Sequence, residues 1–202
     1  MQNGSLLPLV EDFYTIQGEG FHSGKAAYFI RLGGCDVGCS WCDAKETWNP
    51  LQFPPVSILE MAHRALRFPS KSIVITGGEP LLYPLKPLCN LLHTYSLQIY
   101  LETSGAHPLT GNFDWICLSP KKLSPPIKDI YHKSAELKVI ISDLADFEWA
   151  EENRLKVSPQ CLLYLQPEWS RSAFITPLIV EYVKERPYWN ISLQTHKYMH
   201  IP

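Results

Sequence analysis

Three cysteines lie within eight residues of this chain, in the sequence Cys35-Asp36-Val37-Gly38-Cys39-Ser40-Trp41-Cys42. The spacing is Cys-x3-Cys-x2-Cys, and no fourth cysteine is near. Three thiolates can bind three irons of a cubane cluster, whereas electron-transfer clusters usually have four cysteines. The fourth iron is then open to another ligand. The spacing therefore predicts a [4Fe-4S] cluster that takes part in chemistry.

Zinc and a disulfide are the alternatives for these three cysteines. Structural zinc uses four ligands, commonly two pairs of Cys or His, and neither His22 nor His63 lies at zinc-finger spacing. A disulfide is less favoured because the cysteines are odd in number and no secretory signal is expected before them. The remaining cysteines stand singly in apolar stretches, which is typical of small buried side chains: Cys89, Cys117 and Cys161.

The size and composition favour a single globular domain over residues 1–202. Hydrophobic residues make up 46% and charged residues 19%, and the net charge of −2 gives no reason to expect a nucleic-acid partner. No apolar run approaches the ~20 residues that a membrane helix needs, so no membrane partner is expected. Thiolates that must stay reduced favour the cytoplasm.

Short apolar runs that alternate with helical segments predict an α/β fold with a parallel sheet. About six strand–helix repeats are too few for a closed eight-stranded barrel, so we expect a partial, open βα barrel. The predicted strands are 27–32, 72–76, 98–102, 115–119, 136–141, 161–165 and 190–194. The predicted helices are 57–68, 87–95, 144–155 and 172–186, the first with a capping box from Ser57 and Glu60.

Unusual polar or glycine-rich segments follow five of the predicted strands. Because ligands bind at the carboxyl ends of the strands in such sheets, these segments predict one shared site on one rim. They are 35–42, 77–80, 102–105, 119–121 and 166–167, whereas Lys138 lies within a strand.

The cysteine motif followed by Gly77-Gly78-Glu79-Pro80 resembles the radical S-adenosylmethionine (SAM) superfamily. Further segments narrow the resemblance to the 7-carboxy-7-deazaguanine synthase family: Gln17-Gly18-Glu19-Gly20, Cys42-Asp43, Glu102-Thr103-Ser104-Gly105, Ser119-Pro120-Lys121 and Gln194-Thr195-His196-Lys197-Tyr198. The resemblance implies a lyase that converts 6-carboxy-5,6,7,8-tetrahydropterin to 7-carboxy-7-deazaguanine with loss of ammonia, in queuosine biosynthesis. It also implies a [4Fe-4S] cluster, SAM, Mg2+ and a homodimer.

The resemblance assigns roles to individual residues. It implies cluster ligation by Cys35, Cys39 and Cys42. It implies cofactor binding by Trp41, Gly77, Gly78, Glu79, Gly105, Ser119, Pro120, Lys121, Gln166, Pro167, Glu168 and Trp169. Lys138 is a lysine inside an apolar strand, so we expect it either to reach the same cofactor pocket or to face outward at a strand edge. It implies substrate binding by Ile16, Gln17, Gly18, Arg31, Thr103 and Pro202, within an N-terminal substrate segment, 11–34, and a C-terminal tail, 194–202, that closes the site. No further catalytic side chain is assigned.

One position departs from the family pattern. Members often have Thr or Ser after Cys-Asp, and that hydroxyl helps to hold magnesium against the substrate, but this chain has Ala44 followed by Lys45. We therefore expect weaker magnesium dependence, with Lys45 supplying part of the missing positive charge.

Other functions share parts of this pattern. A glycyl-radical-enzyme activase has the same cysteine spacing and a compact size, but it acts on a protein and does not need Gln17-Gly18-Glu19-Gly20. An iron–sulfur sensor without catalysis has no use for Gly77-Gly78-Glu79-Pro80. If the chain is a 7-carboxy-7-deazaguanine synthase, as the resemblance implies, the expected reductant is a flavodoxin or a ferredoxin.

Overall fold

The computed structural model describes residues 3–202, so that Met1 and Gln2 of the predicted domain lie outside the described residues. Its strands are β1 (Leu6–Ile16), β2 (Ala26–Leu32), β3 (Pro55–Ser57), β4 (Ser72–Gly77), β5 (Gln98–Thr103), β6 (Trp115–Leu118), β7 (Glu136–Ile141), β8 (Leu162–Pro167) and β9 (Trp189–Ile191). Its α-helices are α1 (Ile58–Ala65), α2 (Lys86–Thr94), α3 (Lys128–Tyr131), α4 (Ala145–Arg154), α5 (Ser172–Glu185) and α6 (Thr195–Met199).

The strands form one open sheet in the order β3-β1-β2-β4-β5-β6-β7-β8-β9. Every neighbouring pair from β2 to β9 is parallel, and β1 runs antiparallel to both β2 and β3. Helices follow most of the parallel strands, as the crossover between two parallel strands requires. The partial, open βα barrel predicted from the alternating pattern is confirmed.

The seven predicted strands and four predicted helices all occur, with ends shifted by a few residues. The capping box is present, because the Ser57 side chain accepts a hydrogen bond from the Glu60 amide at 3.2 Å. The sequence analysis missed β1, β3 and the short helices α3 and α6. Residues Leu6–Ile16 combine a proline and two acidic residues with apolar ones. They therefore show neither the regular apolar–polar alternation nor the continuous apolar run that predicts a strand.

The two faces of the sheet differ in chemistry. In β7, Leu137 and Val139 belong to the buried apolar core that the helices cover, whereas Glu136 and Lys138 alternate with them on the opposite, inner face. The apolar core therefore lies between sheet and helices, and the inner face of the open barrel carries polar and charged groups. In the described part of the chain, no helix has the length and apolar character to cross a membrane.

Candidate active site

A cavity of about 450 Å³ opens at the carboxyl ends of the parallel strands. The cysteine loop, the ends of β4 to β8, the segment after β1 and the C-terminal tail all contribute to it. The predicted site residues that line it are Ile16, Gln17, Gly18, Arg31, Cys35, Cys39, Trp41, Cys42, Ala44, Gly77, Gly78, Glu79, Thr103, Ser119, Lys121, Lys138, Gln166, Pro167, Glu168, Trp169 and Pro202. Gly105 and Pro120 are not among the lining residues.

The three cysteines of the loop are free thiols, each partly exposed to the cavity. Within residues 3–202, no three Cys, His, Asp or Glu side chains converge closely enough to hold one metal ion. A cubane cluster does not require such convergence, because each thiolate binds a different iron. The arrangement therefore fits a cluster better than a zinc cage. Burial raises the pKa of Cys35 and Cys39 as free thiols.

Two glycines bring the end of β4 against the cysteine loop. Gly77 has φ of +143°, and a Cβ there would overlap the backbone of Leu32; a Cβ on Gly78 would overlap the Gly34 carbonyl. The amide of Gly78 donates to Leu32 O at 3.0 Å, and the amide of Glu79 donates to Gly34 O at 2.8 Å. Only residues without a side chain permit this approach, so the glycines fix the distance between the strand end and the cluster loop.

The Glu79 carboxylate is held by donors from its own turn and from the end of β5. It is only 1% exposed. One oxygen accepts from Thr103 Oγ1 at 2.6 Å and from the Leu81 amide at 3.0 Å, and the other accepts from the amide and hydroxyl of Ser104. Thr103, which was predicted to contact substrate, thus directs its hydroxyl to Glu79. Four donors fix the carboxylate in one orientation at the cavity wall.

Lys121 and Trp41 lie next to each other in the wall of the cavity. The Lys121 ammonium donates to the carbonyl and hydroxyl of Ser119, both at 2.6 Å, and lies 5.6 Å from the centre of the Trp41 ring. Burial lowers the pKa of Lys121. Glu168 instead caps a short helix, where its carboxylate accepts from the amides of Ser170 and Arg171.

A group of charges lies inside the barrel, below the segment that follows β1. Lys138 is 3% exposed, and its ammonium lies 2.6 Å from Glu19 Oε2 and 3.0 Å from Glu102 Oε2. Burial alone would lower the pKa of Lys138, but the anionic groups around it raise that pKa well above its usual value. Burial raises the pKa of Glu19, but the charge and hydrogen bond of Lys138 outweigh it and lower that pKa to about 2.

The C-terminal tail is fastened over the cavity by contacts with distant segments. The amide and hydroxyl of Thr195 donate to Gly18 O at 2.9 and 3.0 Å, and Lys197 lies 2.6 Å from the Asp43 carboxylate. The carbonyl of Pro202 accepts from Thr15 Oγ1 at 3.4 Å. The tail thereby covers residues 15–18 and contacts the loop at Asp43.

Arg31 lies on the wall that the β1–β2 hairpin forms. Its Nε donates to the Glu11 carboxylate at 2.8 Å, and the guanidinium lies 6.0 Å from the centre of the Phe13 ring. Phe13 stacks on Phe29 at 5.3 Å. The hairpin therefore presents a cation and two aromatic rings to the cavity.

The loop after Cys42 offers few ligands for magnesium. Ala44 lines the cavity without a side-chain oxygen, and the neighbouring Asp43 carboxylate already accepts from Lys197 and from Gln194 Nε2 at 3.3 Å. Lys45 is exposed and is absent from the lining residues. The cation beside this loop is therefore Lys197.

The sequence analysis did not assign several residues that line the cavity: Glu19, Asp43, Glu102, Ser104, Gln194, His196 and Lys197. All of them belong to segments that carried the family resemblance. Their position next to assigned residues was the available signal, but the side-chain partners of all except His196 lie 25 to 175 residues away in sequence.

Comparisons with known proteins agree with this geometry. The model of the Radical SAM superfamily matches residues 29–141. A 7-carboxy-7-deazaguanine synthase of Flavobacterium psychrophilum is 52% identical over 202 residues, covering all of this chain and 96% of the relative. The chain belongs to the 7-carboxy-7-deazaguanine synthase family. The Escherichia coli K12 member is 33% identical over 96% of this chain and 98% of the relative.

Membership in the 7-carboxy-7-deazaguanine synthase family confirms the resemblance seen in the motifs. The crystal structure of QueE from Escherichia coli superposes with a TM-score of 0.82 at 30% identity, and 95% of each chain is covered. As a radical SAM enzyme, the protein uses a [4Fe-4S] cluster and SAM, which the three thiols and the close glycine turn fit. The comparisons do not favour a glycyl-radical-enzyme activase.

Proposed function

We propose that the protein is a ring-contracting lyase that converts 6-carboxy-5,6,7,8-tetrahydropterin to 7-carboxy-7-deazaguanine with loss of ammonia, in 7-deazapurine biosynthesis. One observation carries the proposal: a chain that matches this family over its full length brings its cysteine loop and its Gln17-Gly18-Glu19 segment to the same cavity. A cofactor that starts the reaction and a small substrate would meet there.

The cofactor side of the cavity is formed by the cysteine loop and the ends of β4, β6 and β8. When bound, the cluster and SAM supply the one-electron chemistry of the reaction. Cys35, Cys39 and Cys42 would hold the cluster, and Gly77 and Gly78 leave room for backbone contact with the amino acid part of SAM. The remaining cavity-lining residues of this side would contact SAM: Trp41, Glu79, Ser119, Lys121, Gln166, Pro167, Glu168 and Trp169.

The substrate side is formed by the hairpin, the segment after β1 and the tail. Ile16, Gln17 and Gly18 would bind the polar edge of the pterin, and Arg31 would pair with its carboxylate. Pro202 places the end of the chain beside Thr15, at the margin of the cavity. The tail, 194–202, would exclude water once substrate is bound.

We further propose that turnover of this protein depends less on magnesium than turnover of relatives that have Ser or Thr at the position of Ala44. Ala44 has no side-chain oxygen, and one oxygen of the Asp43 carboxylate is paired with Lys197. An ion at this place would depend on the other Asp43 oxygen, on the Glu46 carboxylate that also lines the cavity, and on water and substrate oxygens.

The partners expected from the chemistry are a flavodoxin- or ferredoxin-type reductant and a second copy of the chain, with a cytoplasmic location. The need for reduced thiolates supports the location. Sedimentation of the anaerobically loaded protein tests the dimer, and turnover with each reductant in place of dithionite tests the donor.

A turnover assay tests the proposed function. The anaerobically reconstituted protein is mixed with SAM, dithionite and 6-carboxytetrahydropterin, and the products are followed by mass spectrometry. We expect the mass of 7-carboxy-7-deazaguanine. Cleavage of SAM without that product, together with a glycyl radical formed on a partner protein, would support the activase function instead.

A further inference from the structure

A chain of hydrogen bonds inside the barrel joins the substrate segment, two strands and the C-terminal tail through one lysine. Each of the two carboxylates beside Lys138 gives one oxygen to the ammonium and the other to a glutamine amide. Glu19 accepts from Gln194 Nε2 at 2.9 Å, and Glu102 accepts from Gln17 Nε2 at 3.4 Å. The order is Gln194, Glu19, Lys138, Glu102 and Gln17.

The partners in this chain of bonds come from four separate parts of the sequence. Lys138 lies in β7, Glu102 in β5, Gln17 and Glu19 in the substrate segment, and Gln194 at the start of the tail. The Lys138 contacts alone span 119 and 36 residues. Removal of the ammonium would therefore loosen the attachment of these segments to β5 and β7, although the segments remain bonded to each other through Thr195 and Gly18.

The charge balance makes Lys138 the group on which the others depend. Three carboxylates, of Glu19, Glu102 and Glu136, lie near this one ammonium. Burial raises the pKa of Glu136, one oxygen of which accepts from Trp115 Nε1 at 3.0 Å. Without Lys138, Glu19 and Glu102 would be partly buried anions with no cation between them, which is unfavourable.

We propose that Lys138 is a positioning residue that holds the Gln17-Gly18-Glu19 segment and the C-terminal tail over the cavity through Glu19 and Glu102. This role differs from the cofactor contact expected for a lysine inside an apolar strand. The consequence for pterin binding rests on the proposed function, but the consequence for the order of the two segments does not.

The test compares Lys138→Met with the unaltered protein by hydrogen–deuterium exchange, SAM binding and turnover. We expect residues 16–25 and 193–202 to exchange roughly tenfold faster, with β4 unchanged. KM for the pterin should rise by roughly tenfold to a hundredfold with a smaller change in kcat, because a misplaced segment weakens substrate positioning. Iron content and the Kd for SAM should stay within about twofold of the values for the unaltered protein.

A matched control and a rescue distinguish positioning from a general loss of packing. Arg154→Met removes a cation from the Glu151 carboxylate, which lies away from the cavity and also accepts from Tyr182 and Trp189. It should leave exchange of the two segments and KM unchanged. Lys138→Met combined with Glu19→Gln should recover part of the protection, because Glu102 is then the only one of the two ion-pair partners of Lys138 that still carries a charge.

Several results would overturn the proposal. Unchanged exchange and KM in folded Lys138→Met would show that the segments do not depend on the lysine, and a raised Kd for SAM with unchanged exchange would make it a cofactor contact. If Lys138→Met does not fold, Glu102→Gln decides: we expect faster exchange of 16–25, and unchanged exchange rejects the proposal. Exchange needs no turnover, so failure of the unaltered protein to convert the pterin would reject only the proposed function.

Discussion

The cofactor side and the substrate side of the cavity are built in different ways. On the cofactor side, Glu79 is held by its own turn and by Thr103 and Ser104 of the adjacent strand end. On the substrate side, Glu19 depends on Lys138 and Gln194, which lie 119 and 175 residues away. The first arrangement follows from the sheet itself, whereas the second forms only when the hairpin, barrel and tail are all in place.

The difference predicts separate consequences for damage to the two sides. A change on the cofactor side should affect the cluster or SAM and leave the tail in place. A change on the substrate side should loosen the tail and weaken pterin binding while SAM still binds. Variants on both sides test this separation.

The largest effect should come from the cysteine loop. Cys39→Ala removes one of the three proposed cluster ligands, and we expect loss of iron, of the brown absorbance and of turnover. Exchange of residues 193–202 should remain slow in this variant, because the hydrogen bonds and ion pairs that hold the tail within residues 3–202 involve Gly18, Glu19 and Asp43 and not Cys39. Rapid exchange of the tail in the cluster-free protein would contradict the separation of the two sides.

Gly78→Ala should have the next largest effect. Its Cβ would overlap the Gly34 carbonyl and push β4 away from the cysteine loop. Strain of this kind costs about 1–3 kcal/mol of unfolding free energy. We expect a lower melting temperature and weaker SAM binding by calorimetry. Gly24→Ala is the control without an overlap, since its Cβ would meet no atom within 4 Å. Gly24 has a positive φ, unlike Gly78, so the change should lower stability but not SAM affinity.

The sequence was most informative about the cofactor side. Cys35 to Cys42 and Gly77 to Glu79 are short continuous motifs, and their positions after β2 and β4 follow from the strand pattern. It was less informative about the substrate side. The role of Lys138 was unclear because a single lysine in an apolar strand does not identify its partners. Gln194 and Lys197 stood out only as part of a motif, and their contacts with Glu19 and Asp43 require the folded tail.

Thr103→Val tests the support of Glu79. The change removes a donor to a buried carboxylate while keeping the shape of the side chain, and such a loss costs about 1–3 kcal/mol of unfolding free energy. We expect SAM affinity to fall and KM for the pterin to change less. If KM rises while SAM affinity is unaltered, Thr103 contacts the substrate directly, as the family resemblance implies.

The substrate side should also respond to acid. The pKa of Glu19 falls from 4.5 to about 2 on folding. Its contribution to the stability of the folded state is therefore complete above about pH 4.5 and is lost as the pH falls from there toward 2. We expect tail exchange in the cluster-free protein to accelerate over this range, after correction for intrinsic exchange. Glu19→Gln should remove that dependence, and an identical pH profile in the variant would exclude Glu19 as its source.

The smallest effect concerns magnesium and the cation near Asp43. Lys45 is exposed and does not line the cavity, so Lys45→Ala should leave turnover unchanged. Lys197→Met breaks a partly exposed ion pair, worth up to about 1 kcal/mol, and should raise KM a few-fold. Added magnesium should stimulate the unaltered protein only weakly. Strong stimulation, with no effect of Lys197→Met, would show that the metal is essential despite Ala44.

The most direct test of the two-sided cavity measures SAM and pterin binding to Gly78→Ala and Lys138→Met side by side. We predict that Gly78→Ala loses affinity for SAM and keeps a protected tail, whereas Lys138→Met keeps SAM affinity and loses affinity for the pterin. Equal loss of both ligands in both variants would contradict the account, because the cavity would then behave as one cooperative unit.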